Sequence, residues 1–183
     1  ILYKAFNRET KRPVPEGCCL QSLLRTSQVQ VPSVLERRTM FDKTGPFDNR
    51  LRSVEDYSRW ILIAMTGAEL GYLNAPLAYY RWRSGSLTTN KRRMLESVLT
   101  MFDILFREHA LETRCVPAAV TVVQNHLYEV QRELAYIERS EGRNRSARKR
   151  ITSLIHEWPL CAELYVDLLK TCLPTNLSTT RSS

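Results

Sequence analysis

The sequence lacks several motifs by which common binding sites are recognised. Its 183 residues contain no Cys-x-x-Cys pair, no glycine-rich phosphate loop and no apolar run of 18 residues. The five cysteines are odd in number and two are adjacent, so we expect reduced thiols rather than disulfides or a zinc site. The missing apolar run argues against a transmembrane helix, and no signal peptide is recognisable. These absences favour a cytoplasmic protein.

Basic residues outnumber acidic ones in this chain. It has 27 Lys and Arg against 19 Asp and Glu, a formal net charge of +8 and a pI of about 9.5. Such a balance favours anionic partners, for example nucleotide diphosphates or lipid head groups. No RNA-binding signature or zinc-finger spacing accompanies the charge, so we predict no nucleic-acid partner. The hydrophobic fraction, 43%, is typical of a folded globular chain.

The stretch from Pro32 to Asn90 centres on an acidic pair, Glu55-Asp56. Ser53 precedes the pair and Asp56 lies three residues after it, which is the spacing of a capping box at a helix start. Apolar residues then recur at helical spacing and predict an amphipathic helix ending near Gly67; they are Tyr57, Trp60, Ile61, Ala64 and Met65. Two carboxylates in a first turn usually complement the helix dipole, so the local pattern alone favours a structural role.

Short alternating or β-branched segments predict strands on both sides of this helix. They cover residues 1–6 and 11–14 as a hairpin, and residues 28–35, 68–73 and 77–82. Short helices are predicted at 20–25 and 37–43, and longer ones at 94–106, 117–142, 146–156 and 160–169. We therefore predict an α/β part over residues 1–90, a helical extension over 91–174 and a disordered tail over 175–183.

Further motifs surround the acidic pair in a fixed order. They are Arg37-Arg38 after an apolar segment, the Gly-x-Phe-Asp turn of Gly45, Phe47 and Asp48, then Trp60, Ala75-Pro76-Leu77, Tyr80-Arg81 and a Ser/Thr-rich exit at 84–89. In this order and spacing, residues 17–90 resemble the second half of the catalytic domain of family 2 glycosyltransferases. The resemblance implies a partial glycosyltransferase-A fold, a Rossmann-like α/β domain without its N-terminal nucleotide-binding half.

The resemblance also implies an activity and a set of site residues. The reaction would be inverting transfer of a hexosyl-type sugar from a nucleotide-diphosphate sugar to a hydroxyl of a glycan or lipid-linked acceptor, in bacterial polysaccharide biosynthesis. Asp56 would be the general base, and Glu55 would raise its basicity by charge repulsion or bind the acceptor. Trp60 and Asp48 would lie on the acceptor side. Arg81 and Arg83, on one face of a predicted strand, would bind the donor diphosphate.

The chain departs from the family pattern at three places. Ser58 stands where an acidic residue is common, Leu62 or Ile63 where Arg is common, and Arg83 where a His near the donor metal is common. Arg cannot ligate a metal, and no Asp-x-Asp motif occurs in the chain. We therefore expect the Mg²⁺ or Mn²⁺ of the complete enzyme to be held mostly by residues outside this chain. The chain begins with Ile1, and we expect a fragment that is inactive alone.

A second interpretation belongs to a different functional class. The run from Arg143 to Arg150 contains five basic residues, and the chain could be a non-catalytic module that docks on an anionic partner. Anionic lipid is one such partner, which would place the protein peripherally at the inner face of the membrane. A solvated helix start explains the same run more simply. The binding-module interpretation predicts that Asp56 is dispensable.

Overall fold

A computed structural model of the chain describes residues 2–3, 20–27, 29–72 and 90–173. These residues form eight α-helices, of which five belong to the first two thirds of the chain and three to the last third. The α-helices are α1 (Leu20–Arg25), α2 (Arg38–Thr44), α3 (Glu55–Met65), α4 (Lys91–His109), α5 (Leu111–Arg114), α6 (Pro117–Ser140), α7 (Asn144–Glu157) and α8 (Ala162–Lys170).

The predicted α/β class is wrong, because the part of the chain that the structure describes is helical. Its only strands of two or more residues are β1 (Leu2–Tyr3) and β2 (Gly71–Tyr72), which pair in parallel with Leu2 opposite Gly71; Leu35 and Leu70 are single bridge residues. A Rossmann-like domain needs several buried parallel strands, and one pair of two-residue strands does not supply them.

The strands predicted at 1–6 and 68–73 contain the two-residue strands β1 and β2, whereas the strand predicted at 28–35 is wrong for a local reason. The segment predicted as a strand over 28–35 contains a short 3₁₀ helix, Val31–Ser33, with Pro32 near its start. Proline fixes φ and lacks an N–H donor, which disfavours a paired strand and suits a helical first turn. The hairpin return at 11–14 and the strand at 77–82 lie outside the described residues.

The predicted helices are confirmed with boundaries that differ by a few residues. Helix α2 covers the segment predicted at 37–43, and α3 and α4 begin earlier than their apolar stripes. Helices α6, α7 and α8 cover the three later predictions. The spacing of apolar residues identified the longer helices because α3, α4, α6 and α7 each bury apolar side chains. Within the described residues, no helix is both long and apolar enough to cross a membrane.

The chain forms two compact units, Ile1–His126 and Leu127–Ser183. The predicted boundaries at residues 90 and 174 stay predictions. In the first unit, α1, α3 and α4 provide fully buried side chains, among them Leu24, Ile61 and Phe102. The ring of Tyr57 on α3 meets that of Phe102 on α4 edge-on, with centroids 6.3 Å apart. These contacts fix α3, and therefore the acidic pair at its start, to the core of the unit.

The second unit is built from the end of α6 with α7 and α8. Its core contains Ala135, Ile151, Leu154 and Leu164, each nearly inaccessible to solvent. Polar contacts add to this packing at the edge of the core. Arg132 on α6 pairs with both Glu163 and Asp167 of α8.

Candidate functional site

The first turn of α3 begins with a backbone conformation that the sequence did not reveal. Val54 is the N-cap residue and has φ 61° and ψ 14°, the left-handed region that β-branched residues seldom adopt. The predicted capping box is wrong, since Ser53 is not the N-cap. The Ser53 hydroxyl instead bonds the Ser97 hydroxyl on α4, at 2.8 Å.

Asp56 is half-buried in this turn. Its Oδ1 accepts a hydrogen bond from the backbone N–H of Tyr57, at 2.8 Å. Burial raises the pKa of Asp56 above its usual value, and the neighbouring charge of Glu55 adds to the rise, while the Tyr57 N–H opposes it. A carboxylate with a raised pKa is a stronger base than an exposed one, which is a property that general-base catalysis uses.

Glu55 and Asp48 line one cleft in the first unit, with a volume of about 450 Å³. Glu55, which precedes the predicted base Asp56, therefore lies in the same cleft as Asp48, a predicted acceptor-side residue. Asp56 itself does not line the cleft. The remaining walls are aromatic, polar and charged: Thr44, Pro46, Phe47, Asn49, Arg50, Ser58, Arg59, Leu62, Glu108 and His109. Among the described residues, the Glu55 carboxylate forms no hydrogen bond or ion pair, so its oxygens are available to a ligand.

Arg50 joins two walls of the cleft. Its guanidinium lies 2.7 Å from Asp48 Oδ2 and 2.6 Å from Glu108 Oε1. Hydrogen bonds from Arg50 lower the pKa of Asp48 and that of Glu108. Both carboxylates are therefore ionised at neutral pH and engaged by Arg50, which leaves Glu55 as the wall carboxylate with no partner in the described part of the chain.

Arg59 holds part of the cleft wall in place, and it was not identified from the sequence. Its side chain is only 3% exposed and forms a two-pronged ion pair with Glu36, with Nε 3.0 Å from Oε2. It also donates to the carbonyl oxygen of Gly45. The guanidinium carbon lies 5.2 Å from the ring centres of both Phe41 and Phe47, a distance at which cation–π attraction operates.

A signal for Arg59 exists in the sequence. It is a charged residue flanked by Ser58 and Trp60 in a helix whose predicted apolar stripe contains no other charge. A long cation at a buried helix position requires a partner, but the sequence does not indicate that the partner is Glu36, 23 residues away.

The remaining predicted site residues are placed differently. Trp60 is 3% exposed and packs edge-on against Phe47, with ring centroids 6.4 Å apart. It thus supports the cleft wall without lining the cleft, and its Nε1 has no hydrogen-bond partner among the described residues. Arg81 and Arg83 lie outside the described residues.

The residues that the structure describes do not by themselves form a metal site. Nowhere among them do three His, Cys, Asp or Glu side chains converge in a way that could hold a metal ion. The carboxylates that line the cleft include two that Arg50 already binds.

Comparison with known proteins adds no relative. No family model, no curated protein and no solved structure matches this chain.

Proposed function

We propose that the chain supplies the acceptor-side residues of an inverting glycosyl transfer, with Asp56 as general base. The observation that carries the proposal is the position of Asp56, whose pKa is raised by burial beside the Glu55 carboxylate, a group with no partner among the described residues. The order of sequence motifs around this pair, which is similar to that of family 2 glycosyltransferases, gives the reaction class.

The chemistry would require one proton transfer at Asp56. The carboxylate takes the proton of the acceptor hydroxyl as that oxygen attacks the anomeric carbon of the sugar. The bond from the anomeric carbon to the diphosphate oxygen breaks from the opposite side, so the configuration inverts and a nucleoside diphosphate leaves. A half-buried carboxylate suits the step because burial raises its basicity.

The cleft would bind the acceptor beside this base. Glu55 and Asp48 present carboxylate oxygens that can accept hydrogen bonds from sugar hydroxyls, and Phe47 offers an aromatic surface for a sugar ring. Arg50 and Arg59 would act as positioning residues, since each holds part of the wall through ion pairs. In this proposal the donor diphosphate is bound by Arg81 and Arg83, and the Mg²⁺ or Mn²⁺ by residues outside this chain. The reaction takes place in the cytoplasm.

The experiment that tests the proposal compares two aspartate variants in the protein expressed from its whole reading frame. Transfer and hydrolysis of a panel of radiolabelled nucleotide-diphosphate sugars are measured for the wild type, Asp56→Asn and Asp103→Asn. Asp103 is the matched control, because it is an exposed aspartate on α4 that pairs only with Arg107 one turn away, at 2.8 Å. General-base removal should lower turnover by about a hundredfold to ten-thousandfold in Asp56→Asn, with Asp103→Asn unchanged.

Two results would overturn the proposal. One is full turnover in Asp56→Asn, and the other is a folded wild-type protein that turns over none of the sugars. The second interpretation, a basic module that binds an anionic partner, predicts both of these results. Within the second unit, Arg143 pairs with Glu141, Arg150 with Glu138, and Arg148 donates to Thr171, so three of the five basic residues of this run already hold partners.

A further inference from the structure

Helix α8 carries apolar side chains on two faces. Leu164 is completely buried in the core of the second unit. Tyr165, Val166 and Leu169 lie on the other side of the helix, where they are 45%, 50% and 67% exposed. Their spacing of one, three and four residues makes them a single stripe on the helix surface. Nothing among the described residues covers this stripe.

The turn before α8 extends the apolar surface. Leu160 is 98% exposed at the end of the turn that joins α7 to α8. The hydroxyl of Tyr165 donates to the carbonyl oxygen of Pro159, at 2.9 Å, and so holds this turn against the first part of α8. A leucine with nearly all its surface in water is unfavourable in isolation, so a fixed turn that presents one suggests an apolar partner.

Two cations lie on the helix beside this surface. Arg145 and Lys149 are four residues apart on α7, hence on one face, and both are exposed with no ion-pair partner in the described part of the chain. Arg148, between them in sequence, donates to Thr171 just after α8, so the start of α7 lies beside the end of α8. This places Arg145 and Lys149 near the Leu169 end of the stripe.

We infer that this surface docks on an anionic lipid bilayer. We define it as the α7–α8 face, formed by Arg145, Lys149, Leu160, Tyr165, Val166 and Leu169. The leucine, valine and tyrosine side chains would enter the boundary between head groups and acyl chains, and the two cations would meet lipid phosphates and carboxylates. An anionic bilayer binds protein surfaces that combine exposed apolar side chains with neighbouring cations that have no ion-pair partner in the described part of the chain. Docking of this face does not depend on the proposed catalysis.

Charge favours a bilayer over a second copy of this chain. Residues 143–173 contain six basic and three acidic residues, and Arg132 already engages two of those acids, Glu163 and Asp167. In a two-fold dimer both copies would present this same face, which offers two cations and no carboxylate to pair with them. The residues that follow, 174–183, include a single large aliphatic side chain, Leu177, too little to cover three or four apolar residues.

The test is a vesicle flotation assay with the complete chain. The vesicles are phosphatidylcholine alone, or phosphatidylcholine with about one third phosphatidylserine. Leu169→Gln removes an apolar anchor without changing charge. Leu35→Gln is the matched control, since Leu35 is a leucine of the first unit with a similar exposure of 65%. Arg145→Gln/Lys149→Gln removes the two cations.

Bilayer docking predicts a specific pattern of binding in this assay. Wild type should float with the anionic vesicles only, and raising salt from about 0.1 M to about 0.5 M should weaken its binding. Leu169→Gln should lose about tenfold in affinity and Leu35→Gln nothing. The double cation variant should lose about twenty-five-fold, about fivefold for each charge.

Other outcomes would overturn the inference. Equal binding by Leu169→Gln and Leu35→Gln, or equal binding to neutral and anionic vesicles, would do so. Absence of flotation together with a dimer that Leu169→Gln dissociates, measured by analytical ultracentrifugation, would assign the α7–α8 face to a second copy instead. Circular dichroism of each variant checks that the helices remain folded.

Discussion

The hydroxyl of Tyr57 donates a hydrogen bond to the backbone carbonyl oxygen of Leu23, 2.5 Å away, inside the first unit. Tyr57 is 2% exposed, and burial raises the pKa of its hydroxyl far above the usual value, so the group is a permanent donor at physiological pH. The bond joins α3, which carries the acidic pair, to α1.

Tyr57→Phe should destabilise the fold, because it leaves the Leu23 carbonyl buried without a donor. The expected loss is about 1–3 kcal/mol in the free energy of unfolding, measured by urea denaturation. Tyr165→Phe is the control, because its hydroxyl bonds a carbonyl oxygen at an exposed site, and it should change stability by less than about 0.5 kcal/mol. Equal losses in the two variants would show that burial of the Tyr57 bond is unimportant.

Arg59→Met should be among the most destabilising single substitutions in the first unit. It removes one partner of a buried ion pair, the donor to the Gly45 carbonyl and the cation between Phe41 and Phe47. Loss of such a partner costs about 3–5 kcal/mol. The control is Arg38→Met, whose exposed pair with Asp42 contributes about 0–1 kcal/mol. Thermal unfolding of both variants measures the difference, and near-equal melting temperatures would contradict the expectation.

Asp56→Asn should stabilise the protein at neutral pH while it abolishes the proposed activity. A raised pKa means that the folded state holds the Asp56 proton more tightly than the unfolded chain does. Ionised Asp56 therefore costs stability above its folded pKa, and the cost disappears as the pH falls through that value. Asparagine removes the charge and keeps an oxygen that can accept from the Tyr57 N–H.

The measurement for this variant is the melting temperature between about pH 7 and about pH 4. The gain of Asp56→Asn over wild type should be largest at the upper end of this range and shrink toward the lower end. Asp103→Asn, which loses only an exposed ion pair with Arg107, should show no gain. If the gain in melting temperature were the same at every pH, the charge of Asp56 would not be its source.

Val54→Gly should also stabilise the first unit. Glycine adopts a positive φ without steric cost, whereas a left-handed conformation costs other residues about 1–2 kcal/mol. Val34→Gly is the matched control, because Val34 is similarly half-buried but has φ −104°, a conformation that valine favours. Val34→Gly should lower the free energy of unfolding, because glycine gives the unfolded chain more conformational freedom. Urea denaturation midpoints with opposite shifts for the two variants would support the expectation, and shifts of the same sign would refute it.

Helices could be predicted from this sequence because their signal is local. The stripe of Leu95, Val98, Phe102 and Leu105 predicts α4, and all four are buried in the structure. The strand prediction at 28–35 failed because β-branched residues report half-buried surroundings rather than pairing. Val29 is buried and Val31 is 46% exposed, yet the segment forms a 3₁₀ helix.

The candidate site was predictable only in part. Glu55 and Asp56 were placed at a helix start from the local pattern, and their predicted roles came from the order of the motifs around them. The partners that shape their surroundings were not found, because they come from distant positions: Arg59 pairs with Glu36, and Ser53 bonds Ser97. The backbone strain at Val54 leaves no mark in a sequence, since valine gives no indication of a positive φ.

The ion pair between Arg50 and Glu108 joins residues 58 positions apart, and this separation has a kinetic consequence. Such a contact forms only after a long loop has closed, whereas the helices on either side need local contacts alone. The refolding chain should therefore acquire α3 and α4 before the cleft between them takes shape. Arg50→Gln would then accelerate unfolding and leave the refolding rate nearly unchanged, because its ion pair with Glu108 forms after the rate-limiting step of folding.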